Sequence, residues 1–200
     1  MSRLIGQGAF GRTFQATDEH RPSKPIVIVK EFFPSDQSNG AKSRELFLRE
    51  ASVLELMGNH PQIPELFACF KEPSGWYLVQ SYVDGYDLTK YMTQASCYNE
   101  GSMWHFLSRM ISVLSYVHSK KVIHRDIKPA NIMQRKSNGD YVLIDFGASR
   151  NVDEGWSEST MTCIGSAGYS APEVGTGTAY YNSDIYSLGA TCEGWMMDDG

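Results

Sequence analysis

The sequence predicts an α+β fold in which a strand-rich first part gives way to a helix-rich second part. Three observations lead there. Short β-branched and apolar runs crowd the first part: Leu4-Ile5, an alternating stretch over 12–16, Ile26-Val27-Ile28-Val29 and the run over 76–83. Helical periodicity occurs there only over 42–57. Beyond residue 84 the longest periodic stretch, 102–121, is helical. Asp84-Gly85 is a turn pair, so the domains are predicted as 1–83 and 84–200.

Each element has a local reason. Leu4-Ile5 leads into the glycine loop Gly6-Gln7-Gly8-Ala9-Phe10-Gly11, and the strand over 12–16 leaves it. Lys30 ends the apolar strand over 26–29. In the helix over 42–57, Phe47, Glu50, Leu54 and Met57 share one face, and Gly58-Asn59-His60-Pro61 stops it. Asp87 is placed to cap a short helix from Leu88. Over 102–121, Leu107, Met110, Ile111, Leu114 and His118 form a stripe, with Ser102 as the expected N-cap. Tyr141-Val142-Leu143-Ile144 is a further strand-like run.

Composition narrows the function. The chain has 200 residues, 42% of them hydrophobic, enough to build a core. No apolar run is long enough to span a bilayer, and Met1 to Gly6 lacks a secretion signal. Cys69, Cys97, Cys163 and Cys192 form no CxxC pair, which fits reduced thiols in the cytoplasm. The net charge of −5 argues against nucleic acid as a partner. All 18 basic residues and 15 of the 23 acidic ones lie in the first 150, so the last quarter is purely acidic.

The glycine loop alone has two readings. Glu31 lies 20 residues beyond Gly11, as in a dinucleotide site. A dinucleotide loop opens a helix, however, and the alternation over 12–16 is that of a strand. A glycine hairpin whose amides approach phosphate oxygens fits better. The decisive segments are His124-Arg125-Asp126-Ile127-Lys128-Pro129-Ala130-Asn131 and Asp145-Phe146-Gly147. Phosphoryl transfer needs a carboxylate near the attacking hydroxyl, oxygen ligands for Mg²⁺ and cations on the phosphates. Asp126, Asn131, Asp145 and Lys128 are of those types.

These segments resemble the catalytic and magnesium loops of eukaryotic-type protein kinases, Ser/Thr branch. Gly11-Arg12-Thr13-Phe14 and Glu31-Phe32-Phe33-Pro34 look like the bacterial members. The resemblance implies a two-lobed protein kinase-like fold, with an N-lobe of antiparallel sheet plus one helix and a mostly helical, incomplete C-lobe. It implies ATP and Mg²⁺ as cofactors and a protein substrate with a Ser/Thr acceptor. ATP would meet Ile5, Gly6, Gly8, Phe10, Gly11 and Lys30, with Gln80, Ser81 and Val83 behind the adenine and Asp87 at the ribose. Ile28 stands where a small residue is usual and crowds the adenine. Glu50 is preferred over Glu45 and Glu55 as the partner of Lys30, because it lies on the apolar face and needs a counter-charge there. Asp126 would accept or orient the incoming hydroxyl, Lys128 would neutralise phosphate, and Asn131 and Asp145 would hold the metal. Thr160 or Thr162 is the expected phosphosite, paired with Arg125. Ser166 replaces a usual Thr yet reaches Asp126 and Lys128, and Asp184 would brace the catalytic loop.

The resemblance runs from residue 4 to about Ala190. Family members continue further, so the sequence is expected to be C-terminally truncated, with exposed apolar surface. Gly194 and Asp198-Asp199 argue against a continued helix. Glu173 of Ala171-Pro172-Glu173 has no cation in residues 151–200. The alternative to a Ser/Thr kinase is a nucleotide-binding, catalytically impaired pseudokinase-like interaction module. A small-molecule kinase is a third class.

Overall fold

The computed structural model describes residues 2–8, 10–33, 40–92, 99–154 and 166–197. The chain divides into two compact units, one formed by residues 1–60 with 64–83, the other by 61–63 with 84–200.

The first unit is a five-stranded antiparallel sheet carrying one helix. Strands β1 (Arg3–Gly8), β2 (Gly11–Thr17), β3 (Ile26–Phe32), β4 (Leu66–Glu72) and β5 (Gly75–Ser81) lie in the order β1-β2-β3-β5-β4. The helix α1 (Gly40–Met57) packs by its apolar stripe. Phe47, Leu54 and Met57 are buried, and so is Glu50. Phe47 meets Phe32 edge-on at 5.7 Å and Trp76 at 5.4 Å, which ties the helix to β3 and β5. Gly58 closes α1 with φ +59°, its N–H donating to the Leu54 and Glu55 carbonyls.

The second unit is built on the long helix α3 (Glu100–Ser119), preceded by the short strand β6 (Gly85–Asp87) and helix α2 (Leu88–Met92). Asp87 Oδ1 accepts from the Lys90 N–H, the cap expected of it. Strands β6, β8 (Ile132–Arg135) and β9 (Tyr141–Leu143) form one antiparallel sheet; β7 (Val122–Ile123) and β10 (Arg150–Asn151) pair separately. Helix α4 (Tyr181–Met197) closes the described chain. The buried face of α3 is Met103, Phe106, Met110, Val113, Leu114 and Val117. Tyr141 is buried edge-on against Phe106 at 5.0 Å.

Three expectations are corrected. The cap of α3 is Asn99: its Oδ1 accepts the Ser102 N–H at 2.8 Å, so Ser102 is a donor inside the first turn. The stripe is rotated, leaving Ile111 54% exposed, because the buried face takes in Phe106, Val113 and Val117 instead, with Phe106 against Tyr141 of β9. Helix α4 passes through Gly194 to Met197. Its buried hydroxyls at Ser187 and Thr191 bond back one turn, Ser187 to the Ser183 carbonyl and Thr191 to that of Ser187, so both are satisfied within the helix.

Residues 61–63 belong to the second unit through Gln62. Its buried side-chain amide donates to the Arg109 and Tyr141 carbonyls at 3.1 and 3.0 Å, and its own carbonyl receives the Leu143 N–H.

Candidate active site

In the first unit, hairpin β1–β2 turns at the glycine loop. The glycines there are of two kinds. A Cβ on Gly11 would lie 2.1 Å from the Glu31 carbonyl oxygen, so strand pairing itself demands glycine. A Cβ on Gly8 would meet nothing within 4 Å, and one on Gly6 only Thr13 at 3.7 Å and beyond. Internal packing does not require those two. Ile5 and Phe10 are exposed beside them, 50% and 37%.

Lys30 stands in β3 between Thr13 of β2 and Leu78 of β5. Its Nζ donates to Glu50 Oε1 of α1 at 2.5 Å, with the Glu50 side chain only 2% exposed. Glu50, rather than Glu45, holds this place; Glu45 receives Arg49 instead. Gln80 is buried at the end of β5. Ser81 bonds through N–H and Oγ to the Glu65 backbone, and Val83 is buried.

In the second unit the loop after β7 is locked from below by Asp184. This fully buried carboxylate accepts the His124 N–H at 2.9 Å and the Arg125 N–H at 2.8 Å, and lies 2.8 Å from His118 Nε2. Arg125 holds φ +67°, a left-handed conformation that turns the chain toward Asp126. Its Nε donates to the Ala148 carbonyl at 2.6 Å. His124 is buried edge-on against Phe146 at 4.8 Å, and burial pushes its imidazole pKa below the usual value, so the ring is neutral.

Asp126 sits in a closed hydrogen-bonded ring. Lys128 Nζ lies 2.8 Å from Asp126 Oδ2 and donates to Ser166 Oγ at 2.7 Å; Ser166 Oγ–H donates to Asp126 Oδ1 at 2.9 Å. The Asn131 amide donates to the Asp126 carbonyl and to Oδ2, at 2.9 and 2.8 Å. Its amide oxygen keeps acceptor capacity for a cation. Asp145 follows β9 with φ +64°, and the Ile144 N–H reaches the Asn131 carbonyl, tying the two loops. Thr160 and Thr162 lie outside the described residues. Glu173, for which no nearby cation was expected, takes a hydroxyl instead: Ser183 Oγ–H donates to it at 2.6 Å and holds its carboxyl below the ordinary range.

A family model described as protein kinase domain matches residues 1–197. The chain belongs to the protein kinase domain family. Among similar proteins, serine/threonine-protein kinase B of Synechocystis sp. is 43% identical over 199 residues, which cover 94% of this chain and 35% of that protein. Serine/threonine-protein kinase PknA of Nostoc sp. is 39% identical over 94% of this chain and 35% of its own length. Aurora kinase A-A of Xenopus laevis is 32% identical over 98% and 47%. The chain thus spans about a third of the length of the cyanobacterial kinases it matches.

Several residues of this kinase domain escaped the sequence reading. Gln62 reaches Tyr141, 79 positions on, and the bonds Arg12–Glu31 and Ser183–Glu173 join different elements 19 and 10 positions apart. Arg12 and Glu31 had a signal, since they directly follow the glycine loop and Lys30. No described helix is long and apolar enough to cross a membrane.

Proposed function

We propose that this chain transfers the terminal phosphoryl group of ATP to Ser or Thr hydroxyls of protein substrates. The ring of Asp126, Lys128, Ser166 and Asn131 carries the reading: it holds a carboxylate, a cation and an amide oxygen within one hydrogen-bonded cluster. The bare Gly6 and Gly8 fit a nucleotide, because a backbone without side chains lets phosphate oxygens approach its amides and internal packing gives no other reason for glycine there. The oxygen donors Asn131 and Asp145 fit Mg²⁺, a hard cation.

Asp126 Oδ2 is engaged by Lys128 and Asn131, whereas among the described residues Oδ1 takes the Ser166 hydroxyl alone. Oδ1 is therefore the oxygen that would receive the substrate hydroxyl, orient it and take its proton. Lys128 would shift between Asp126 and the transferred group, neutralising charge. Lys30, held straight by buried Glu50, would bind phosphate, and Asn131 and Asp145 would hold Mg²⁺, which when bound neutralises the phosphate oxygens. Ile5, Phe10, Gln80, Ser81 and Val83 are the residues of the first unit that the resemblance assigns to the nucleoside, and Asp87 is the one it assigns in the second. Modification of Thr160 or Thr162 would supply an anion for Arg125.

The test is Mg-ATP-dependent phosphate incorporation into the chain and into a generic basic protein, beside Asp126→Asn. Loss of incorporation in the variant is expected. Undiminished incorporation would remove Asp126 from the reaction, and a wild-type chain that binds ATP without transferring phosphate would favour the pseudokinase-like module.

A further inference from the structure

The face of the sheet opposite Lys30 carries a polar row, centred on the buried Glu31, that the phosphoryl-transfer chemistry leaves unused. Neighbouring strand residues point to opposite faces, so Arg12 lies behind Gly11 and Glu31 behind Lys30. Register sets Arg12 against Glu31, and Glu31 against Tyr77. Arg12 Nε and one terminal nitrogen reach Glu31 Oε2 at 2.9 and 2.8 Å. Tyr77 O–H donates to Glu31 Oε1 at 2.8 Å and pairs with Ser74 Oγ. The Arg12 guanidinium also lies over the Phe33 and Phe14 rings, at 4.8 and 5.5 Å. Phe70 stacks on Tyr77 at the far end of the row.

Stability alone does not account for this row. The Glu31 side chain is 8% exposed, so its charge was taken out of water, whereas Arg12 remains 40% exposed. Apolar side chains would fill that space at least as well, and the better-attested use of such a buried charge is to specify register. Here register matters sharply. A one-residue slip of β2 against β3 would turn every side chain to the other face and move Gly11 off the Glu31 carbonyl, where only glycine fits. The backbone bond from the Phe33 N–H to the Phe10 carbonyl extends the same pairing into the glycine loop.

We propose that Arg12, Glu31 and Tyr77 are positioning residues for the nucleotide: a strap behind the sheet that fixes the spacing between the glycine loop and Lys30. They touch no nucleotide themselves; loosening the strap lets the loop ride at a variable height over the phosphates. The inference rests on the nucleotide reading given above.

The test is the dissociation constant of N-methylanthraniloyl-ATP with Mg²⁺, read by fluorescence for the whole chain, with thermal unfolding recorded on each variant. Arg12→Gln and the isosteric Glu31→Gln each weaken binding about tenfold, the scale of one hydrogen bond to a charged group. Tyr77→Phe, which removes one hydroxyl, gives a smaller loss. The double variant Arg12→Gln with Glu31→Gln is no weaker than either single one, and the exchanged pair Arg12→Glu with Glu31→Arg recovers affinity. Lys24→Gln, which removes an equal charge from the exposed Lys24–Glu19 pair, leaves binding unchanged. Single variants that are folded and bind as wild type overturn the strap alone, as do losses that simply add. Wild-type protein that is folded and binds no nucleotide overturns the reading beneath it, and the strap's role with it.

Discussion

Replacing Asp184 with Ala removes the acceptor of two buried backbone N–H groups, those of His124 and Arg125. Each orphaned buried amide costs about 1–3 kcal/mol. Release of the left-handed Arg125 returns part of that, since such a conformation stores about 1–2 kcal/mol in a non-glycine residue. The expected net loss is about 2–3 kcal/mol, a large share of the roughly 5–15 kcal/mol that holds a domain folded. At roughly 2–4 °C per kcal/mol for a chain of this size, the midpoint falls by about 7 °C. Urea unfolding followed by tryptophan fluorescence measures the first figure and calorimetry the second. Asp184→Asn keeps one carbonyl oxygen and should lose about half as much. His118→Ala, which removes only the partly exposed third partner, should lose less than about 1 kcal/mol. An Asp184→Ala variant within about 1 kcal/mol of wild type would refute the idea that this carboxylate braces the loop. A His118→Ala variant as damaged as Asp184→Ala would move the brace from the amides to the imidazole.

Acid should weaken the fold in two pH windows. His124 has a depressed folded pKa, so the unfolded chain binds its proton first and stability falls below the ordinary value of 6.5, by up to about 1.4 kcal/mol per pH unit. His124→Leu should flatten that part of the curve in pH-dependent urea melts. Asp140 is held below its ordinary 3.8 by the Arg109 hydrogen bonds; its contribution is present above that value and vanishes as pH drops through the folded pKa. Asp140→Asn should therefore separate from wild type at neutral pH and converge with it in acid. Gly11→Ala forces the Glu31 backbone aside and should cost about 2 kcal/mol or more, whereas Gly8→Ala should leave the melting curve nearly unchanged. Cys192, whose thiol burial raises to about 11, should resist iodoacetamide at pH 8 until denaturant is added, while exposed Cys69 is labelled at once by mass spectrometry.

What could be read in advance divides along the range of the interaction. Helix α1 and its inward Glu50 follow from spacing within one element, and the burial of both is as the periodicity requires. The ring around Asp126 was half legible: Lys128 and Asn131 are two and five residues away, and Ser166 enters through a motif. Strand β4 left no trace in the pattern because most of it is exposed and Leu66-Phe67-Ala68-Cys69-Phe70 does not alternate. Helix α3 has apolar residues on more than one side, so spacing alone misjudged its phase until Tyr141 chose the buried face. Asn99 and Ser102 are equally good caps by type, and only the starting turn separates them. Pairs such as Ser183–Glu173 depend on how elements meet, which no local spacing encodes.

Gln62 bears on how this molecule can be taken apart. The helical unit is discontinuous in sequence, and no single cut yields it. Expression from residue 84 onward would leave the Leu143 N–H and the Arg109 and Tyr141 carbonyls facing an empty seat, three backbone groups at the heart of that unit. A stand-alone version would have to carry its own copy of Pro61-Gln62-Ile63, spliced onto a surface loop or supplied as a peptide. Dissection at the obvious boundary would then report on the missing tripeptide rather than on the unit itself.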